Sequence, residues 1–330
     1  MKATLETQSR RGFLQTSGGL LAASALCAAD DQAVVHFGML ADIHHSRMPD
    51  AHTRLEAFLS AVSNRDLDFV IQLGDFCDGY SAQLTSEQKN FVADWGKVRV
   101  PRYSVLGNHE MDHGSKKNIM NVLEMPRNYY SFDVRGVHFV VLDCMHLSED
   151  GKIVDYLEGN YFKHPQDDIN LVDPEQMEWL TADLKATRNP TVVFTHPCIN
   201  GFWYKGAEKT RANVRALFSQ VNHDAGWNKV AACFSGHHHV DDLSEFGGVN
   251  YFLVNSASYF WVGEQYGSLA KYRDPLFTFV SVTPSGKITV EGKNSVFLPP
   301  TPTELHFPEA NMLTASIKAR AVSFTPTPRH

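Results

Sequence analysis

Five apolar runs in this chain each stop at a short polar block of carboxylate, imidazole or amide side chains, and that repetition limits the fold more than any other feature. Residues 34–41 lead into Asp42-Ile43-His44, and residues 69–73 into Gly74-Asp75-Phe76-Cys77-Asp78. Residues 103–106 lead into Gly107-Asn108-His109-Glu110, residues 191–194 into Thr195-His196, and residues 230–234 into Gly236-His237-His238-His239. A short continuous apolar run bounded by turn signals reads as a strand buried on both faces. Helical patterns separate these runs, at about 51–64, 86–98, 174–186 and 209–221; in the first, Leu55, Phe58, Leu59 and Val62 fall on one face. Alternating strands and helices mean an α/β layered fold, in which ligands gather at the carboxyl ends of the strands.

The rest of the chain adds strands. Residues 129–134 and 137–142 read as a hairpin joined at Arg135-Gly136, and Asp173-Pro174 gives the later helix an N-cap followed by proline. Residues 251–255, 277–283 and 287–291 look like closing strands, so two sheets packed face to face with helices outside are expected. From Pro299 the chain is rich in Pro and Thr and is expected to pack little. No linker interrupts residues 30–298, which read as one catalytic domain.

The first 29 residues read differently. Ser9-Arg10-Arg11-Gly12-Phe13-Leu14 precedes a weakly apolar run of small residues up to Ala29. That pattern resembles a twin-arginine export signal, with cleavage expected after Ala29 and a periplasmic or extracellular destination. The run is too short for a membrane span of about 20 residues. Partnership with the twin-arginine machinery would mean folding, and metal loading, before export.

The formal net charge of −7 argues against a stable nucleic-acid partner, because neutralising phosphates supplies most of that affinity. A small phosphorylated substrate is still allowed, since bound divalent cations invert the local field. Five cysteines fall singly, with no CxxC pair, so they do not read as a zinc ribbon; those outside the leader read as small buried residues near strand ends, with one disulfide as the alternative. No G-x-S-x-G elbow is present, so a serine-hydrolase reading has no support.

The ordered blocks D-x-H, G-D-x-x-D, G-N-H-E, a later H and G-H-x-H resemble the calcineurin-like metallophosphoesterases, over about residues 34–260. The resemblance implies a four-layer α/β/β/α sandwich and two divalent metal ions (Mn, Fe or Zn). Carried over, it implies that Asp42, His44, Asp75 and His239 hold one ion. Asp75, Asn108, His196 and His237 hold the second, with Asp75 bridging. Carboxylate and imidazole suit those metals, and two ions about 3.5–4 Å apart are the arrangement of two-metal phosphatases. The implied activity is hydrolysis of phosphoester bonds, with a metal-bridging hydroxide as nucleophile. His109 matches the family's catalytic histidine, a general acid, and Asp78 is expected to hydrogen-bond it.

Substrate contacts are expected from His45 and from two aromatic stretches, through Trp203 and Tyr204 in one and Tyr259 in the other. Ala41-Asp42-Ile43, Gln72-Leu73-Gly74-Asp75 and Asp78-Gly79-Tyr80 are also similar to the manganese-dependent ADP-ribose/CDP-alcohol diphosphatases. A diphosphatase or phosphodiesterase is therefore the leading expectation. A phosphomonoesterase of the same family is the alternative, followed by a nuclease or a non-catalytic secreted metal-binding protein.

Overall fold

A computed structural model describes residues 34–328 apart from 81–82, 201–207, 264–266 and 309. The arginine pair and its apolar run lie outside the described residues, as do Trp203 and Tyr204.

Two six-stranded sheets form the body of the molecule. The first contains β1 (Val35–Leu40), β2 (Phe69–Gln72) and β3 (Arg102–Ser104), parallel and adjacent. The second begins with the hairpin β4 (Tyr130–Val134) and β5 (Val137–Val141). A small outlying hairpin, β6 (His146–Glu149) and β7 (Lys152–Asp155), stands apart from both. The second sheet continues with β8 (Thr191–Thr195), β9 (Val230–Ser235), β10 (Asp242–Phe246) and β11 (Val249–Leu253). β12 (Thr278–Thr283) and β13 (Lys287–Val290) return to the first sheet, with β12 antiparallel to β1. β14 (Lys293–Asn294) pairs with β15 (Ser316–Ile317), and β16 (Arg320–Ser323) closes the first sheet beside β13.

The side-chain period of two explains the layering. Val35, Phe37, Met39 and Ala41 meet Phe139, Val141, Phe194 and Phe234 of the other sheet in one core. Within it Phe37 stacks on Phe69 at 4.7 Å and meets Phe139 edge-on at 5.8 Å. The alternate residues face helices. Leu40 and Val70 pack with Leu55 and Phe58 of helix α1 (Ala51–Ser63) and with Phe91 and Trp95 of α2 (Ser86–Trp95). A short α3 (Lys116–Val122) follows. On the other side Val140 and Val193 pack with Leu180 and Leu184 of α4 (Pro174–Ala186) and with Val214 and Phe218 of α5 (Glu208–Ala225). The order of layers is thus α/β/β/α. The buried strand residues could not alternate apolar with polar, because both faces are covered.

Local signals behave as their chemistry requires. Arg135 and Gly136 both have positive φ, 45° and 79°, in the two-residue connection of β4 to β5. That pair of angles matches the right-handed twist of the strands. The Asp173 side chain accepts from the Gln176 N–H, and Pro174 opens α4. Cys77, Cys144, Cys198 and Cys233 are buried free thiols. No helix among the described residues is long and apolar enough to cross a membrane.

The carboxyl-terminal expectation fails. Residues after Pro299 add β16 to the first sheet, and Phe307, Ala315, Ile317 and Phe324 are buried in the core between the sheets. Proline and threonine dominate the composition there, yet a few well-spaced apolar anchors cover an edge that the sheet would otherwise expose.

One buried histidine gives a pH prediction. His138 on β5 lies 2.8 Å from Asp183 and 3.1 Å from Asp133. Burial disfavours its charge, but the two carboxylates outweigh burial and raise its pKa above the ordinary 6.5. A raised folded value stabilises the fold fully below the unfolded pKa and is lost as pH rises through the folded one. Thermal melts of wild type and His138→Gln from pH 5.5 upward should therefore converge as pH rises through the raised folded pKa. A gap that widens with rising pH would refute this.

Candidate active site

The carboxyl ends of β1, β2 and β3 in one sheet, and of β8 and β9 in the other, open onto the same place. Asp42 and His44 follow β1, Asp75 follows β2, Asn108 follows β3, His196 follows β8, and His237 and His239 follow β9. All seven converge, and only His237 has more than slight exposure.

Their spacing falls into two groups that meet at Asp75. In the first group, the Asp42, His44 and His239 donor atoms lie within 4.8 Å of one another. His44 Nε2 is 3.2 Å from His239 Nε2, which is 3.4 Å from Asp42 Oδ1. In the second, Asp75, His196 and His237 are as close, with His196 Nε2 at 3.0 Å from Asp75 Oδ2 and 3.0 Å from His237 Nδ1. Asp75 Oδ2 also stands 4.0 Å from His44 Nε2, so one carboxylate reaches both groups.

The donor set fits cations. His196 Nδ1 lies 2.8 Å from the Leu73 carbonyl and donates to it, so a neutral ring keeps its lone pair on Nε2. That lone pair faces Asp75 and, at 3.2 Å, Asn108 Oδ1. The Asn108 orientation follows from its Nδ2, which donates to Tyr161 Oη. Acceptors facing acceptors in a buried space repel unless a cation or a proton stands between them. With no metal, the proton is the answer: burial lowers the His196 pKa, but Asp75 overcomes this and lifts it to about 9. His44 repeats the arrangement, with Nδ1 on the Asp78 carboxylate at 3.2 Å and Nε2 turned to the group. Outer hydrogen bonds of this kind set the tautomer of metal-bound imidazoles.

The backbone at the site is strained. Of the eleven non-glycine residues with positive φ among those described, five are Asp42, His44, Asp75, His237 and His239. Aspartate and histidine tolerate this region better than most residues, but the conformation still costs energy that the surroundings must supply. Glycines permit the crowding. A Cβ on Gly74 would lie 2.5 Å from His196 Nδ1, and one on Gly236 2.6 Å from Asp42 Oδ2.

Glu110 ties two of the loops together. Its fully buried carboxylate accepts from the Phe76 N–H at 2.6 Å, the Gly107 N–H at 2.8 Å and the Asp75 N–H at 3.1 Å. Glu110→Gln should set an amide N–H₂ against backbone N–H groups. A buried donor left without an acceptor costs about 1–3 kcal/mol. The denaturant midpoint should fall accordingly, and an unchanged midpoint would show that the contacts are not needed.

His109 differs from the expectation in its partner. Asp112 Oδ2 is 2.9 Å from His109 Nδ1, whereas Asp78 Oδ1 is 3.4 Å away and closer to His44. Tyr161 Oη donates to Asp112 Oδ1 at 2.6 Å and stands 3.4 Å from His109 Nδ1. Burial disfavours the charged imidazole, but Asp75, Asp112 and Asp78 together raise its pKa to about 9.

A cavity of about 230 Å³ opens beside His109, walled by Asn108, His237, Tyr161, Phe162 and Trp261, with His164 and Gln166 at one side. The Trp261 ring stacks on His109 at 5.0 Å and 21°. Tyr259 does not line this cavity. It lies under the Arg54 guanidinium at 4.9 Å and packs against the inter-sheet core, so its stretch reaches the site through Trp261, two residues on. His45 is also turned away: it is buried, with its ring tilted against Phe91 of α2 at 4.0 Å. A larger groove of about 740 Å³ runs between α1 and residues 97–100, but no carboxylate or imidazole lines it.

Comparison with known proteins agrees with this geometry. A manganese-dependent ADP-ribose/CDP-alcohol diphosphatase from Arabidopsis thaliana is 23% identical over 259 residues, which is 64% of this chain and 82% of that protein. The crystal structure of a dimetal phosphatase from Danio rerio is similar with a TM-score of 0.59 at 14% identity, covering 80% of this chain and 98% of the other. GAP50, the anchor in the inner membrane complex of Plasmodium, has a TM-score of 0.55 at 14% identity, covering 89% and 90%. At such identity these two likenesses concern the fold alone. The family model for calcineurin-like phosphoesterases matches residues 35–241. The chain therefore belongs to the calcineurin-like phosphoesterases, metal-dependent hydrolases of phosphoester bonds.

Proposed function

We propose that this protein hydrolyses the diphosphate or phosphodiester link of a small substrate that carries a planar group, with Asp75 shared between two divalent ions. The observation that carries the reading is the position of Asp75, whose one oxygen stands 3.0 Å from His196 Nε2 and 4.0 Å from His44 Nε2. Asp42, His44 and His239 would complete the holding of one ion, and Asn108, His196 and His237 that of the other. When bound, such a pair supplies Lewis acidity and lowers the pKa of a coordinated water toward about 7.

The chain's own groups do the rest. Asp75, Asp112 and Asp78 favour the protonated form of His109, which stands at the cavity wall where a leaving oxygen would need a proton. Nδ1 is occupied by Asp112, which leaves Nε2 to meet the substrate. Asn108 offers a neutral oxygen, which adds no further anion where an anionic substrate enters. Phe162, 62% exposed, and Trp261 give the cavity two aromatic walls on which a nucleobase can stack. The similarity to a diphosphatase supports the same substrate class.

A panel of phosphomonoesters, cyclic nucleotides, nucleoside diphosphate esters and glycerophosphodiesters, run with Mn, Fe and Zn, tests the reading. Turnover of the nucleoside diphosphate esters or diesters above the monoesters is expected. Preference for monoesters would replace it with a phosphomonoesterase, and no turnover of any member would remove the catalytic reading. Export by the twin-arginine route is the accompanying proposal, supported by Arg10-Arg11 and the run behind them. Replacing both arginines by lysine should hold the protein inside the cell, and unchanged export would reject that route.

A further inference from the structure

Outside the site described above, three donor side chains meet on the far side of the β1 loop. His45 lies in that loop, His52 in the first turn of α1, and Glu87 in the first turn of α2. Their donor atoms are no farther than 4.8 Å apart.

His45 is the unusual member. It is 3% exposed, and neither ring nitrogen has a hydrogen-bond partner among the described residues. Two orphaned ring nitrogens in one buried side chain cost free energy that a native fold rarely leaves uncompensated. Phe91 covers one face of the ring at 4.0 Å, and the His52 ring stands perpendicular to it at 5.5 Å.

His52 is set up from behind. Its Nδ1 lies 3.0 Å from Asp94 Oδ2, and Asp94 is itself held by Lys97. A carboxylate on Nδ1 fixes the tautomer in which Nε2 keeps its lone pair, the arrangement that raises the basicity of a metal-binding imidazole. Glu87 is exposed, so it brings a carboxylate oxygen in from the solvent side.

We propose that His45, His52 and Glu87 form a third divalent-metal site, separate from the pair at Asp75 and suited to a zinc-type ion. Two imidazoles and one carboxylate match the ligand preference of zinc, with water for the remaining position. Zinc–ligand bonds of about 2.0–2.2 Å in a tetrahedron place donors about 3.3 Å apart, and the three donors already stand within 4.8 Å of one another, so closure requires only small side-chain movements. Bound there, an ion joins the loop carrying Asp42 and His44 to α1 and α2.

Equilibrium dialysis of the full chain against micromolar free zinc, followed by elemental analysis, tests this. Wild type should hold one equivalent more than either His52→Gln or Glu87→Gln, both altered at positions that are not part of the core. Zinc should also raise the melting temperature of wild type more than that of either variant. Equal zinc content in all three proteins would overturn the proposal, and so would an equal rise in melting temperature.

Discussion

Asp75→Asn is expected to strip metal from both groups at once and to lower turnover by more than about a hundredfold. Even an outer partner of a metal ligand is worth about 10–100-fold in affinity or activity, and Asp75 stands inside the donor set. The change keeps shape and removes charge. One buried carboxylate balances His196, His109 and His44, and those three rings hold its own pKa well below the ordinary range against the opposing effect of burial. Neutralising it removes the attraction that draws cations or protons to both sides. His237→Ala should behave differently, since its ring stands 3.0 Å from His196 in the second group. Elemental analysis of both variants after saturation with manganese separates the cases. If Asp75→Asn kept the metal content of wild type, the shared role would be wrong.

His109→Ala should leave metal content unchanged and reduce turnover by about 10²–10⁴, the usual contribution of a positioned general acid. The loss should depend on the leaving group. An ester of a strongly acidic phenol needs little protonation and should be largely spared, whereas an alkyl leaving group should suffer in full. Asp112→Asn should reproduce part of this pattern, because the 2.9 Å contact to Nδ1 is what holds the ring, and Asp112→Glu should restore some of it. A uniform loss across leaving groups would show that His109 serves binding and does not deliver a proton.

Much of this could be read before any coordinates. Each of Asp42, Asp75, Asn108, His196 and His237 lies within four residues of a strand's carboxyl end, so strand and ligand are marked by one local pattern. The layering is readable for the same reason, since runs such as Phe69–Gln72 are buried along their whole length. Other features leave weaker traces. Asp112 sits three residues past His109 in a 3-10 turn, and Tyr161 comes from another turn, Asn160–Lys163, with no motif around it. Only long-range packing brings them together. Nearness in sequence points to His45 and Tyr259, but a residue beside a ligand in a turn commonly points the opposite way. The carboxyl-terminal segment misled because composition averages over the four residues, Phe307, Ala315, Ile317 and Phe324, that seat it.

The first sheet contributes four of the seven ligands and the second three, and this has a mechanical consequence. Whatever binds across the seam is also a clamp between the two halves of the sandwich. By reciprocity, loading the clamp must resist separation of the halves by as much as a well-fitted seam favours loading. A cavity cut deep in the interior, at Phe37 for instance, should then weaken ion affinity at a rim that it never touches.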